Sequence, residues 1–424
     1  MNPKSLLKVL PVVLLMVVPM VGPSRVAEGV IQQPANQGQS INQLIEQLKS
    51  GDLETRSSAA SALGTIGESA IPSLIPLLKD SDANVRALAA FAFQEMGESA
   101  QSAIPSLIAL LKDSDADVRW STASAFRKMG ESAIPSLIPL LKDSNANVRG
   151  ATAYALGGMG ESAQSAIPSL IPLLKDSDRS VRWRAIDVLA NMGESAESAI
   201  PSLIPLLKDS DSAVNGSASH ALITMSALAK SPIPSLIPLL KDSDSRIRFV
   251  ASEALGNMGE LAQSAIPGLI LLLKDSDVDV QSSAARALGK IGESAKSAIP
   301  SLIPLIKDPD SRIRVSAAKA LGQMGELAIP SLIPLLKNSN SDVRSAVARA
   351  VGDMGESAKL MIPSLIPLLK DSNSMIRLFA VRTLGNMGDS AKSAIPSLIP
   401  LLKDSDESVR FGAAEALKKL GYKP

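Results

Sequence analysis

Cysteine is absent from the 424 residues. That excludes disulfides, thiolate metal sites, a cysteine nucleophile and a lipoprotein-type anchor. Histidine occurs once, as His220, so a histidine-rich metal centre is excluded and a Ser–His array would have a single imidazole to draw on. Aromatic residues make up 2 % of the chain against an apolar content of 46 %, a balance that suits small-faced, closely packed helices. Excess charge is lacking as well. A formal net charge of +1 supplies no dominant basic field for nucleic acid. The glycines stand singly and read as helix caps, so no phosphate-cradling loop is expected. No catalytic residue, metal site or cofactor is assigned on these grounds, and nucleic acid is not an expected partner.

What the chain has is repetition. A block IPSLIPLLKDSD followed by xVRxxAAxALGxMGESA recurs, with its first proline at Pro72, Pro105, Pro135, Pro168, Pro201, Pro234, Pro267, Pro300, Pro330, Pro363 and Pro396. A degenerate first copy has Asn42 at that place, which makes twelve copies; eight of the eleven steps are 33 residues and three are 30. Self-similarity at this period implies units that bury their apolar faces only against neighbours, in one array over residues 41–422. Such an array presents a long surface, and its default use is to hold something.

The first 27 residues stand apart. Lys4 and Lys8 precede an apolar run from Val9 to Val21, the layout of an export signal, although no clean small-residue cleavage site follows. The run is short for a bilayer span and carries Pro11 and Pro19. Residues 1–27 are therefore expected to act as a signal peptide, with the protein exported; uncleaved, the same segment would anchor it to a membrane. Residues 28–40 read as a polar lead-in, with Ser40 as the cap of the first helix.

Each copy reads as two helices. In the second, Ile71–Lys79 is the first helix, with Pro72 in its first turn and Pro76 expected to kink it. Asp82 caps the second helix, Ala83–Met96, whose Val85, Ala89, Ala92 and Met96 form a buried face. Gly97 ends it. The Gly-Glu-Ser-Ala stretch reads as a loop, and the 30-residue steps lack one triplet there.

The Asp-x-x-x-Val-Arg segment followed by Ala-Ala-x-Ala-Leu-Gly-x-Met-Gly resembles the short bacterial HEAT-like repeat of phycobilisome-lyase-type proteins, over residues 41–422. The resemblance implies an all-α fold, a right-handed armadillo/HEAT-like α-solenoid of about twelve two-helix repeats of 30–33 residues. It does not by itself imply an activity. The iron-binding His-Glu pairs of similar HEAT-repeat hydroxylases are missing here.

One arginine recurs after the valine: Arg56, Arg86, Arg119, Arg149, Arg182, Arg248, Arg314, Arg344, Arg377 and Arg410. It reads as a structural ladder paired with turn aspartates of its own repeat, such as Asp80 and Asp82, in preference to an anion-binding row. Variable positions of the second helix (84, 87, 88, 91 and 95 in the second copy) carry the functional signal. In the geometry that the resemblance implies, they line an exposed inner groove. Phe91, Trp120, Tyr154, Trp183, His220 and Phe249 fall there in succession, followed by a basic stretch of Arg286, Lys319, Arg349 and Arg382. The aromatics suit binding anchors, though rings folded onto their own helices remain an alternative. The basic column suits an acidic partner segment, or a solvated face. The expected function is a non-enzymatic protein-binding scaffold for a partner of unknown identity. The alternatives are a phycobilin-lyase-type role in chromophore attachment and a self-assembling envelope component. Repeat six is irregular, with Asn215 for the arginine and Gly216 beside it, and reads as drift or as a hinge.

Overall fold

The computed structural model describes residues 40–227 and 233–422. The expected export signal at residues 1–27, nearly all of the lead-in, and Pro232 lie outside the described residues. Two compact units are present: one holds the chain up to Met192 together with Lys208–Ser217, the other Gly193–Leu207 and the chain from Ala218 onward.

Within the described residues the fold is helical and repetitive, as the resemblance implies, and twelve second helices recur from Leu53–Ile66 to Glu407–Lys419. Ser40 caps the first helix, Ile41–Ser50: its hydroxyl accepts from the Gln43 amide while the Gln43 side chain accepts from the Ser40 amide. The second copy shows the local logic. The Asp82 carboxylate accepts from the Asn84 amide, Ala83–Met96 follows, and Gly97 closes it at φ 58°, a region that glycine enters without penalty. Val85, Ala89, Ala92 and Met96 are buried, and so is Phe93. Leu88, expected on the exposed stripe, is only 4 % exposed and belongs to the core.

Two expectations change. The first helix is not one kinked α-helix. An α turn at Ile71–Leu74 passes into a 3-10 segment at Ile75–Lys79. Pro76 has no N–H for the Pro72 carbonyl, and the tighter winding follows from that missing bond. Where Leu271 replaces this proline, the α-helix continues through Leu272. Proline does not decide alone, because the Ala109 copy is 3-10 and Pro304 sits inside an α-helix. The Gly-Glu-Ser-Ala stretch is also 3-10 helix, not loop. It spans four residues at Gly67–Ala70, Gly130–Ala133 and Gly325–Ala328, the three 30-residue steps, and seven at the other copies that begin with glycine among the described residues, as at Gly97–Ala103.

The first glycine of Leu-Gly-x-Met-Gly is not a cap. A Cβ on Gly289 would lie 2.6 Å from Ala320 Cα, and one on Gly385 would lie 2.8 Å from Ala416 Cα. Second helices of adjacent repeats thus touch backbone to backbone at these points. Small residues there allow the close stacking, and dispersion and apolar burial hold it.

The same substitution is expected to act in opposite directions at two helical glycines. Gly289→Ala should lower stability by about 1–3 kcal/mol through overpacking. Gly150→Ala, where a Cβ would meet nothing within 4 Å, should raise it by roughly 0.5–1 kcal/mol through helix propensity. Urea titration of both variants checks the pair of signs.

Candidate functional site

Each second helix begins at an aspartate or asparagine cap, and the recurrent arginine lies four residues beyond it. Arg86 Nη1 donates to the carbonyls of Asp80 and Ser81 at 2.8 and 3.1 Å. Its Nε and Nη2 donate to both carboxylate oxygens of Asp113, at 2.8 and 2.9 Å. Asp113 belongs to the next repeat. The ladder therefore differs from the expectation: the arginine takes carbonyls from its own turn and its carboxylate from its neighbour. Five more clamps repeat this fork over 27 residues: Arg149–Asp176, Arg182–Asp209, Arg248–Asp275, Arg344–Asp371 and Arg377–Asp404. The arginine side chains are 12–15 % exposed and the aspartates 7–12 %, so solvent screens the pairs weakly.

The exceptions follow chain length. Arg56, Arg119 and Arg314 precede the four-residue connections, and none makes the fork. Arg56 reaches Asp82 through one nitrogen, and its buried Nε has no partner. Arg314 reaches Asp342 through one nitrogen. Arg119 holds only the carbonyls of Asp113 and Ser114, while Lys112 takes Asp143 at 2.8 Å. Removing three residues shifts the neighbouring turn out of the fork's reach. Arg410 holds the carbonyls of Asp404 and Ser405. Where Asn215 and Gln281 replace the arginine, their amides donate to the carbonyls of Asp209 and Leu273.

In the first unit the groove positions converge. Trp120 and Tyr154 meet edge to face, centroids 5.2 Å apart at 88°. Arg184 lies 5.0 Å from the ring centroids of Trp120, Tyr154 and Trp183, and Arg127 lies 4.6 Å from that of Tyr154. All three rings are half-buried, as is Phe91. Charge on ring faces is worth about 0.5–2 kcal/mol per contact. The aromatics are thus neither free anchors nor ordinary core: they wrap the chain's own guanidinium. Sequence reasoning passed over Arg184 and Arg127. The signal for Arg184 was its register, which holds Leu88, Ser121, Ala151 and Val250 in other copies. Arg127 reaches Tyr154 because position 158 is glycine; a Cβ there would lie 1.7 Å from Arg127 Nε.

In the second unit His220 is exposed and Phe249 half-buried. Arg286 is covered by Glu253 at 2.6 Å, and Lys290 donates to Asn257 at 2.7 Å. Arg349 lies 5.6 Å from the Phe379 centroid. Lys319 and Arg382 are exposed, and among the described residues no acceptor engages either. The predicted column therefore divides: Arg286 is paired with Glu253, while Lys319, Arg349 and Arg382, at one register of three successive repeats, form no ion pair among the described residues, with Glu415 lining a depression beside Arg382.

A sequence profile described as HEAT repeats matches residues 41–127, 71–143, 134–223, 266–352 and 362–424, and a second, described as HEAT repeat, matches 233–262. No curated protein matches the chain. Among solved structures, the karyopherin Kap121p bound to the extreme C-terminus of the protein phosphatase Cdc14p is similar at 17 % identity and a TM-score of 0.64, over 90 % of this chain and 49 % of that one. Kap121p bound to Nup53p is similar at 16 % and 0.63, over 90 % and 48 %. A Kap95p structure with RanGDP is similar at 15 % and 0.59, over 90 % and 61 %. The chain thus spans about half the length of the Kap121p structures it matches. At these identities the likeness concerns the fold.

The clamps predict acid sensitivity. Burial alone would raise the carboxyls of Asp113, Asp176, Asp275 and Asp371, but the arginine fork and a backbone amide override it and hold each below the ordinary carboxylate value. At Asp404 the Arg377 fork is the leading cause of the same lowering. A carboxyl depressed in the folded state contributes stability that is complete above its unfolded value near 4 and is lost as pH falls through the folded value. Stability should therefore be flat from about pH 5 to 7 and fall below about pH 4. Asp176→Asn should flatten part of that acid limb. Arg149→Ala should cost about 2–4 kcal/mol at pH 7 by stranding Asp176. Denaturant melts across pH read both.

Proposed function

The chain belongs to the HEAT-repeat family, and from that premise we propose that it is a non-enzymatic protein-binding scaffold that docks an acidic partner segment. The observation that carries this reading is the row of Lys319, Arg349 and Arg382, one per repeat at a single helix register, none of them held in an ion pair among the described residues; Glu415 of the next repeat lines a depression with Arg382 without bonding it. The contrast within the same column supports it. Arg286 is closed off by Glu253, and the clamp arginines are consumed by cohesion between repeats. What is left is positive charge outside the ion pairs that join the repeats. Kap121p, of similar fold, is seen bound to the extreme C-terminus of Cdc14p and to Nup53p, and a repeated surface is suited to binding a protein here. An export signal in residues 1–27 would place the partner outside the cytoplasm.

Exposed charges at separate sites contribute weakly one at a time and add along a row. The triple reversal Lys319→Glu, Arg349→Glu and Arg382→Glu should weaken partner capture at least tenfold, leave helical content unchanged by far-UV circular dichroism, and leave residual capture insensitive to salt. Affinity capture from source-cell fractions with residues 28–424, at low and moderate salt, makes the measurement. Equal capture by wild type and triple variant contradicts the reading.

A further inference from the structure

Arg184 presents a guanidinium to three rings at once, 5.0 Å from each centroid. Burial works against its charge, Asp187 one turn along supports it, and Arg127 on Tyr154 opposes it. Among the described residues no hydrogen bond or ion pair engages Arg184 or Arg127. A fork of N–H donors is therefore fixed on aromatic faces with its edge unengaged. A second, independent feature adjoins it. Trp120 and Trp183 hold the same register in repeats three and five, and the repeat between them has Gly150 at that register. A Cβ there would meet nothing within 4 Å. Two tryptophans thus flank a notch floored by backbone, with Arg184 and Tyr154 one helical step away.

We infer that this notch receives a carboxylate side chain from an acidic protein segment, with Arg184 as the bidentate donor and Trp120 and Trp183 as walls. The inference deepens the protein-binding reading and rests on it, at a site separate from the Lys319 row. The ring faces already hold a cation, so the notch does not ask for another. The unengaged N–H edge asks for an acceptor, and a planar carboxylate matches a guanidinium fork in shape and charge. Asp187 acts on Arg184 through its charge alone and makes no bond to it. Glu98 and Glu131 line a depression beside Arg127 and Lys128, one in which Arg184 takes no part. A carboxylate on the free edge of Arg184, beside half-buried rings, is screened less than one on an open surface, so its pairing is stronger there.

The test uses a built-in reporter: Trp120 and Trp183 are the chain's two tryptophans, so intrinsic tryptophan emission reads this notch alone. The probes are an acetyl-capped glutamate-rich decapeptide, its glutamine counterpart and inorganic tripolyphosphate. The glutamate peptide is expected to change emission saturably and to bind at least tenfold tighter than the glutamine peptide. Arg184→Lys, which keeps the charge and loses the fork, should weaken it at least tenfold, as should Gly150→Phe, which fills the notch and keeps Arg184. Far-UV circular dichroism and Tm confirm that each variant is folded. The Lys319/Arg349/Arg382 reversal should change the affinity less than twofold. No saturable emission change up to millimolar peptide overturns the inference. So does equal binding of the glutamine peptide, wild-type affinity in folded Arg184→Lys or Gly150→Phe, or tighter binding of tripolyphosphate. Partner capture that depends on the Lys319 row while no peptide moves the emission leaves the scaffold reading standing and removes this one.

Discussion

Cohesion between neighbouring repeats depends on one contact repeated along the chain: an arginine that takes two carbonyls from its own turn and both oxygens of the next repeat's aspartate. A small two-helix unit cannot bury enough apolar surface to stand alone. Its stability comes from its neighbours, and the fork fixes how the neighbour sits. Arg86 and Asp113 lie 27 residues apart in sequence yet 2.8 Å apart in space, so the pairing ties chain length to geometry. Beside the fork, Gly289 against Ala320 and Gly385 against Ala416 set the separation of adjacent second helices. Polar fork and small-residue contact together specify register in two directions. Where Asn215 and Gln281 stand for the arginine, the fork to the next repeat is lost and only a turn carbonyl is held.

Those requirements leave few residues free, and function has to lie in what they do not consume. The fork uses the arginine, the turn uses the aspartates, and the stacked faces use the alanines, leucines and glycines. What varies is the outward register of the second helices. In one unit that register supplies Trp120, Tyr154 and Trp183 around Arg184; in the other it supplies Lys319, Arg349 and Arg382. These are two chemistries on one scaffold, an aromatic-walled donor and an open row of charge, and both suit acidic groups. The near-neutral net charge conceals this, because most of the arginine is balanced within the array.

Much of the fold was legible because its determinants are local. Asp82, the Ala83–Met96 helix and Gly97 follow from capping and period, and the copies repeat them. Other features were hidden because they depend on neighbours. From one repeat, the nearest carboxylate to Arg86 is Asp80 or Asp82; only the stacked geometry brings Asp113 closer. The first glycine of Leu-Gly-x-Met-Gly looks like a cap until the next helix is seen against it. The aromatic column was visible, but not that Trp120, Tyr154 and Trp183 close on an arginine. Their convergence needs three repeats to be packed, and Arg184 drew no notice beside Trp183. Leu88 was misplaced because a helix packed on two sides buries more than one stripe.

The claim that the fork, and not the repeat sequence as such, fixes each junction is open to direct measurement by hydrogen exchange along the intact chain. The turns at Asp113–Val118 and Asp143–Val148 are close in sequence and cap equivalent helices. Arg86 clamps the first through both oxygens of Asp113, whereas Asp143 in the second is held by Lys112. Amides of the first turn should exchange at least tenfold more slowly under native conditions, and Arg86→Lys should erase the difference. Equal protection of the two turns, or a difference that survives Arg86→Lys, would contradict the account.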